Sequence, residues 1–354
     1  MKIIEAPRVI IDNPDSIFNY FAWPSVARLC DGTLAAVCSG YRMRHICPFG
    51  KAVICYSKNE GKTWTRPAAI IDTPLDDRDS GILVTKDRVF VTSFNNTAAF
   101  QRKIIGEQTG ESADLIRAYI NKIPNGAEEK YLGSHYVISR DGGYSFGDIH
   151  RCDITSPHGP IQTKDGRILW AGRYFNGEDK PTGVAMYELD ENENFVKLCD
   201  IAPCTDEFGE GYACEPYAAE LCDGRILMAI RVQRGGEHPL FTVYTCYSTD
   251  GGRSFSSPLP LIDKEAGSPP HILVHSSGDV VITYARRKDD FGIRAVISHD
   301  GGNTFGEETV ITRGAPSPDL GYPSSVELSD GNILTVYYEK GGDHAEIKQV
   351  IWKI

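Results

Sequence analysis

Long apolar runs are missing from this chain. No stretch approaches the ~18 residues that a membrane-spanning helix needs, so no helical anchor is expected. The first residues, Met1-Lys2-Ile3-Ile4-Glu5-Ala6-Pro7, lack the basic, apolar and small-residue order of a secretory signal, and a cytoplasmic location is expected. Positive charge is also scarce: 37 Lys and Arg face 48 Asp and Glu, giving a net charge of -11. That balance argues against nucleic acid or an anionic membrane surface as the main partner. No Cys-x-x-Cys and no compact Cys/His cluster occurs among the ten cysteines, so neither a structural zinc nor any other metal or cofactor is expected. Without a secretory signal the cysteines read as reduced, small apolar strand residues.

Glycine is plentiful, with 35 residues, and much of it falls in a repeated octapeptide. The copies are Ser57-Lys-Asn-Glu-Gly-Lys-Thr-Trp64, Ser139-Arg-Asp-Gly-Gly-Tyr-Ser-Phe146, Ser248-Thr-Asp-Gly-Gly-Arg-Ser-Phe255 and Ser298-His-Asp-Gly-Gly-Asn-Thr-Phe305. Each has the makings of a tight turn: Asp or Asn bonds the turn backbone, Gly supplies positive φ, and the aromatic anchors the turn. Successive copies are 82, 109 and 50 residues apart, which fits a unit near 50 with one insertion and one lost box. Short strands at such a period are a propeller signature.

A second repeat gives the number of units. A short apolar strand leads after about seven residues into an Asp-Gly-like turn at Trp23-Pro24, Arg78-Asp79, Pro157-His158, Glu215-Pro216, Pro270-His271 and Tyr322-Pro323. The expected fold is therefore all-β, a six-bladed β-propeller forming one domain over 1-354; a β-sandwich with recurrent turns is the competing architecture. Pairing of residues 2 to 11 with the C-terminal Val350-Ile-Trp-Lys-Ile354 would close the ring and cover an edge. The long gap between the first two boxes places an inserted segment at 101-132 within the second blade. There, Leu115, Ile116, Tyr119, Ile120 and Ile123 recur at helical spacing, predicting one helical insertion that packs on the blade edge, rims the pocket or makes a homo-oligomer contact.

In a propeller the starts of the innermost strands gather at one end of the channel. Trp23, Arg78, Asp79, His158, Glu215, His271 and Tyr322 hold those positions, and their carboxylates, imidazoles, phenol and indole suit a sugar better than an apolar plug. Arg42, Arg44, Arg173, Arg231, Arg234, Arg286 and Arg287 follow the second strands and could grip an acid group in forked geometry.

The four octapeptides look like the Asp boxes, or BNR repeats, of the sialidase superfamily, and the resemblance covers essentially the whole chain. It implies a sialidase-type propeller. Glu215 followed sixteen residues later by Arg231 is similar to the Glu and the carboxylate-binding Arg of sialidases, and Arg287, with Arg286 as its competitor, resembles a second such Arg. Tyr322 in Gly-Tyr-Pro-Ser-Ser and Glu339 in Tyr-Tyr-Glu look like the closing pair of the pattern. By resemblance Tyr322 is the nucleophile, Glu215 its base partner and Glu339 the orienter of an arginine. A neutral phenol suits an anomeric carbon that bears a carboxylate, because an anionic nucleophile would be repelled.

Two departures stand out. Sialidases open with Phe-Arg-Ile-Pro where this chain has Phe21-Ala22-Trp23-Pro24, and the loop from Arg42 to Tyr56 holds Arg44, His45 and Lys51 but no Asp acid/base. Asp79 is left either as the acid or as a partner of substrate hydroxyls. The leading expectation is an exo-acting hydrolase of an anionic or related terminal sugar, acting on a small oligosaccharide. A uronate lyase or unusual glycosidase using His158, His271 or Tyr322, and a non-catalytic glycan-binding propeller, are the alternatives.

Overall fold

The computed structural model describes residues 1-175, 183-262, 267 and 269-354. Strands dominate them, arranged as successive antiparallel sheets in a propeller-like manner. The blade-like pattern is plainest in Tyr212–Glu220, Ile226–Arg234, Leu240–Ser248 and Leu259–Pro260, and in His271–Val274, Val280–Arg286, Gly292–Ser298 and Thr309–Val310. In each, the middle strands are buried on both faces, as layers of sheet stacked around an axis require. Among the described residues, no helix is long and apolar enough to cross a membrane.

The largest sheet has eight strands and contains both chain ends. Lys2–Ile11 pairs antiparallel with His344–Lys353, matching Lys2 to Lys353 and Ile3 to Trp352. Tyr20–Arg28 meets His344–Lys353 through one parallel bridge, Tyr20 to Ala345. That slender link joins two four-stranded groups.

The octapeptides owe their residue types to one hydrogen-bond pattern. In the third, Ser248 Oγ reaches Asp250 at 2.8 Å and accepts from the Gly252 amide at 2.8 Å, while Asp250 accepts from the Ser254 amide at 2.9 Å and its hydroxyl at 2.6 Å. Those donors hold the Asp250 carboxyl well below the usual carboxylate range. Gly252 has φ +87° and a Cβ there would stand 3.2 Å from Leu169, so both conformation and space call for glycine. Phe255 packs on the adjoining core, and the other boxes repeat the arrangement on the outer surface.

Helices Ala98–Ile105, Glu111–Ile120 and Ala127–Tyr131 lie between the paired strands Val89–Phe94 and Ser134–Ser139. Ala113, Ile116 and Ile120 form the buried stripe, joined by Ile105, Met43 and Cys47. Leu115, expected on that face, is instead 36% exposed. One residue before Ile116 it lies about 100° around the helix, off the stripe set by the spacing of 113, 116 and 120.

Candidate active site

Four of the inner strands begin with the same irregularity. The register slips between Ala22 and Ser25, Arg78 and Gly81, Cys214 and Tyr217, and Gly321 and Ser324. The first residue of each slip has positive φ: Trp23 57°, Asp79 47°, Glu215 47° and Tyr322 51°. For non-glycine residues this conformation costs about 1–3 kcal/mol each and persists where the surroundings impose it, often at functional sites. Each bulge turns one side chain out of the pleat.

These side chains converge. Tyr322 donates its hydroxyl to Glu215 Oε1 at 2.5 Å, and Arg231 Nη1 holds Glu215 Oε2 at 2.6 Å. The Trp23 ring stands edge-on to Tyr322, 6.3 Å between centroids, with the Arg78 guanidinium 4.1 Å from the indole centre. Arg287 lies 5.6 Å from the Tyr322 ring and donates Nε to the Leu320 carbonyl at 2.8 Å. Phe241 stands beside both Arg231 and Arg287, and with Arg287, Gln233 and Tyr212 it lines an adjoining cavity of about 550 Å³.

Burial favours a neutral Glu215, yet Arg231 and the Tyr322 hydrogen bond overcome it and hold the carboxyl below its ordinary value. Burial and the neighbouring Glu215 and Asp79 push the Tyr322 phenol well above its own. The pair is therefore a phenol against a carboxylate at neutral pH. Asp79 is pushed up to about 6, by burial first and Glu215 next, against the pull of Arg78. Among the described residues, four buried polar atoms here lack a protein partner: Trp23 Nε1, Asp79 Oδ1, Arg231 Nε and Arg287 Nη2. Buried polar atoms are ordinarily paired in native proteins, so these four call for a partner from a ligand or from solvent.

Other candidates go elsewhere. His158 and His271 lie behind the pocket, 5.0 Å apart, with His271 stacked on Tyr217 at 4.6 Å and His158 bonded to Ser25 at 2.9 Å. Tyr217 and Ser25 each stand two residues beyond a bulge, one layer deeper along the strand. Burial lowers His158 to about 3 and holds His271 far down, so both are neutral core groups. Arg44 turns to Gln108, at 2.5 Å, towards the helical segment. Arg173 stays near enough to Asp79 to oppose its upward shift, and donates to the Tyr174 carbonyl. Arg286 turns outward to Glu308, leaving Arg287 as the arginine beside Tyr322. Among the described residues Glu339 pairs with Lys348 at 2.6 Å rather than with an arginine, because the neighbouring strand sets Glu346 opposite Glu339 and Lys348 two residues further, diagonally within reach.

One cluster beside the pocket escaped sequence reasoning. Asp319 accepts from Tyr20 at 2.9 Å and Tyr338 at 2.8 Å, and His45 Nδ1 lies 2.9 Å from the Tyr20 oxygen and 3.3 Å from Asp319. His45 meets the Trp23 ring edge-on at 4.9 Å. Nothing separates Asp319, in Ser317-Pro-Asp-Leu320, from an ordinary loop aspartate in the sequence.

Residues 107–335 match the family model of the BNR repeat-like domain. No curated protein matches the chain significantly. Among solved structures, a protein of unknown function from Dyadobacter fermentans superimposes with a TM-score of 0.77 at 22% identity, covering 100% of this chain and 99% of that one. The intramolecular trans-sialidase of Ruminococcus gnavus, solved with oseltamivir carboxylate, gives 0.65 at 14% identity, covering 100% and 98%. A Hadza microbial sialidase gives 0.68 at 14%, covering 98% of this chain and 68% of its own. At these identities the likeness establishes a common fold. On the extent of the family match, this chain belongs to the BNR repeat-like family, and it shares its fold with sialidases.

Proposed function

We propose that the chain is an exo-acting glycoside hydrolase for a terminal sugar carrying an acid group, built as a single six-bladed propeller. In this reading the eight-stranded sheet is two blades, and 101-132 is an insertion in the second. The observation that carries the chemistry is the Tyr322 hydroxyl 2.5 Å from a Glu215 carboxylate that Arg231 keeps ionised.

Tyr322 attacks the anomeric carbon as its proton passes to Glu215, giving a covalent glycosyl–tyrosine that water then resolves. The phenol is neutral until that moment, so it approaches an anionic sugar without repulsion. Arg231 Nε and Arg287 Nη2, both without protein partners, receive the acid group. Asp79 Oδ1 receives a sugar hydroxyl, while Ala22 stands where sialidases carry a third arginine and the neighbouring Trp23 offers an aromatic ring. That exchange favours an acidic sugar other than ordinary sialic acid.

The neutral, buried positions of His158 and His271 take two of its three candidate bases from the lyase alternative. The test is turnover of a panel of 4-methylumbelliferyl glycosides of sialic acids, uronic acids and other acidic sugars by wild type and Tyr322→Phe. Fluorophore release by wild type and its loss in Tyr322→Phe are expected. An unsaturated, ultraviolet-absorbing product would indicate elimination, and binding without any product would indicate a glycan-binding module.

A further inference from the structure

We infer that His45 is the proton donor and acceptor for the leaving group, with Asp319 as its positioning residue. The inference rests on the hydrolase reading above and supplies the acid/base missing from the first-blade loop.

The hydrogen bonds fix which nitrogen can work. Tyr20 gives its proton to Asp319, so its oxygen is left to accept, and His45 Nδ1, between the Tyr20 oxygen and Asp319, carries the hydrogen. Nε2 is then the atom that gains and loses a proton. The loop that carries the ring is pinned from behind: the His45 carbonyl accepts from Arg42 at 2.9 Å and from Arg78 at 2.7 Å. Asp319 is in turn held by the buried phenols of Tyr20 and Tyr338. A half-exposed imidazole, 47% accessible, is thus locked in one orientation by buried groups.

Its place suits the role. On one side His45 touches Trp23, which also meets Tyr322. On the other, His45 and Tyr20 line an open cavity of about 550 Å³ together with Ile104 and Ser112 of the helical segment and Lys340. His45 thus stands between the Trp23–Tyr322 contact and that cavity, and in this proposal the leaving group occupies the cavity beside Nε2.

The steps balance. As Tyr322 bonds to the anomeric carbon and its proton moves to Glu215, the glycosidic C–O bond breaks and the leaving oxygen takes the Nε2 proton. In the second step neutral Nε2 takes a proton from water as its oxygen bonds to the anomeric carbon. The tyrosyl C–O bond breaks, and the phenolate recovers its proton from Glu215. Burial, with the charges of Arg78 and Arg42, outweighs the support of Asp319 and holds His45 below its ordinary value, so the imidazolium that donates in the first step forms as pH falls. Arg44, Lys340 and Asp343 face the same cavity.

The experiment compares wild type, His45→Gln, Asp319→Asn and Asp79→Asn on alkyl and 2,4-dinitrophenyl glycosides of the acidic-sugar panel, with ¹⁵N NMR titration of His45. His45→Gln is expected to lower kcat on the alkyl glycoside by about a hundredfold or more and on the dinitrophenyl glycoside by less than tenfold, because that leaving group needs no proton. Added formate should restore part of the loss, and the pH-rate limb assigned to His45 should vanish. The NMR spectrum should show the Nδ1–H tautomer, and Asp319→Asn should shift the imidazole titration to lower pH. Equal losses on both leaving groups, an Nε2–H tautomer, or the leaving-group dependence appearing in Asp79→Asn instead would overturn the assignment. If wild type turns over none of these glycosides, the hydrolase reading fails and this one with it. Turnover that His45→Gln leaves unchanged removes His45 alone.

Discussion

Glu215 and Tyr322, 107 residues apart, share a 2.5 Å hydrogen bond although each sits at the start of a different inner strand. Both have positive φ, and both are followed by proline. The strain at each bulge is held by the sheets around it, so the phenol and carboxylate meet without either main chain needing to move. Fixed geometry of this kind lets a weak nucleophile act through a neighbouring base.

Tyr322→Phe removes one oxygen from a buried ring and should leave the fold intact, as circular dichroism and thermal unfolding would show. On any glycoside that wild type cleaves, we expect turnover to fall at least a thousandfold. Retention of full activity would remove Tyr322 from the mechanism.

Arg231→Ala should affect both binding and the base. Loss of its contact with the acid group is expected to raise the activation free energy by about 2–4 kcal/mol, the range for removing one electrostatic donor. It also leaves Glu215 buried without its cation, so the Glu215 pKa should rise and the acid limb of the pH-rate profile should move to higher pH. An unchanged limb would mean that Arg231 does not govern Glu215.

Asp79 gives a pH dependence of stability with a definite sign. Its folded pKa, about 6, lies above its ordinary value of 3.8, so the folded state binds the proton more tightly. Its contribution is favourable at low pH and is lost as pH rises from about 4 through 6. Asp79→Asn should abolish that component, so the variant should gain stability relative to wild type between pH 4 and pH 7 in denaturant titrations. A parallel pH dependence in the two proteins would contradict the shift.

The turn boxes should matter for folding and not for chemistry. Ser248 is buried and joins Asp250 to the Gly252 amide, so Ser248→Ala should lower stability by about 1–2 kcal/mol, the scale of losing a buried hydrogen-bonding group. The kcat on a cleaved substrate should not change. A fall in kcat without a fall in unfolding temperature would show that the box acts on the site.

In the helical segment the contrast lies between neighbours. Ile116→Ala should cost about 2–5 kcal/mol, as for other large-to-small changes in cores, while Leu115→Ala should stay within about 0.5 kcal/mol. Equal effects at both positions would place Leu115 in a contact that the isolated chain does not make.

Much of this was readable in the sequence because repeats place equivalent residues at equivalent sites. Repeat position picks out Trp23, Arg78 or Asp79, Glu215 and Tyr322, and of these Trp23, Asp79, Glu215 and Tyr322 are the four non-glycine bulge residues of the pocket. The same rule brings in His158, which lies in the break between Ile154–Thr155 and Ile161–Gln162, and His271, which starts a strand paired in regular register; both fall into the layer behind. Sequence position does not encode that change of direction, which comes from backbone geometry. Glu339 went to Lys348 because strand register decides the neighbour of a charged side chain. The His45–Asp319 pair joins positions 274 residues apart without a repeat to relate them, and became visible only when the blades were brought together.

The most direct measurement is peptide mass spectrometry of wild type quenched during turnover of a fluorinated, activated glycoside of the acidic sugar that the panel identifies. We expect the glycosyl group on the peptide containing Tyr322, and its absence in Tyr322→Phe. A glycosyl group on Glu215 or Asp79, or steady turnover with no covalent species at any residue, would contradict a tyrosine nucleophile.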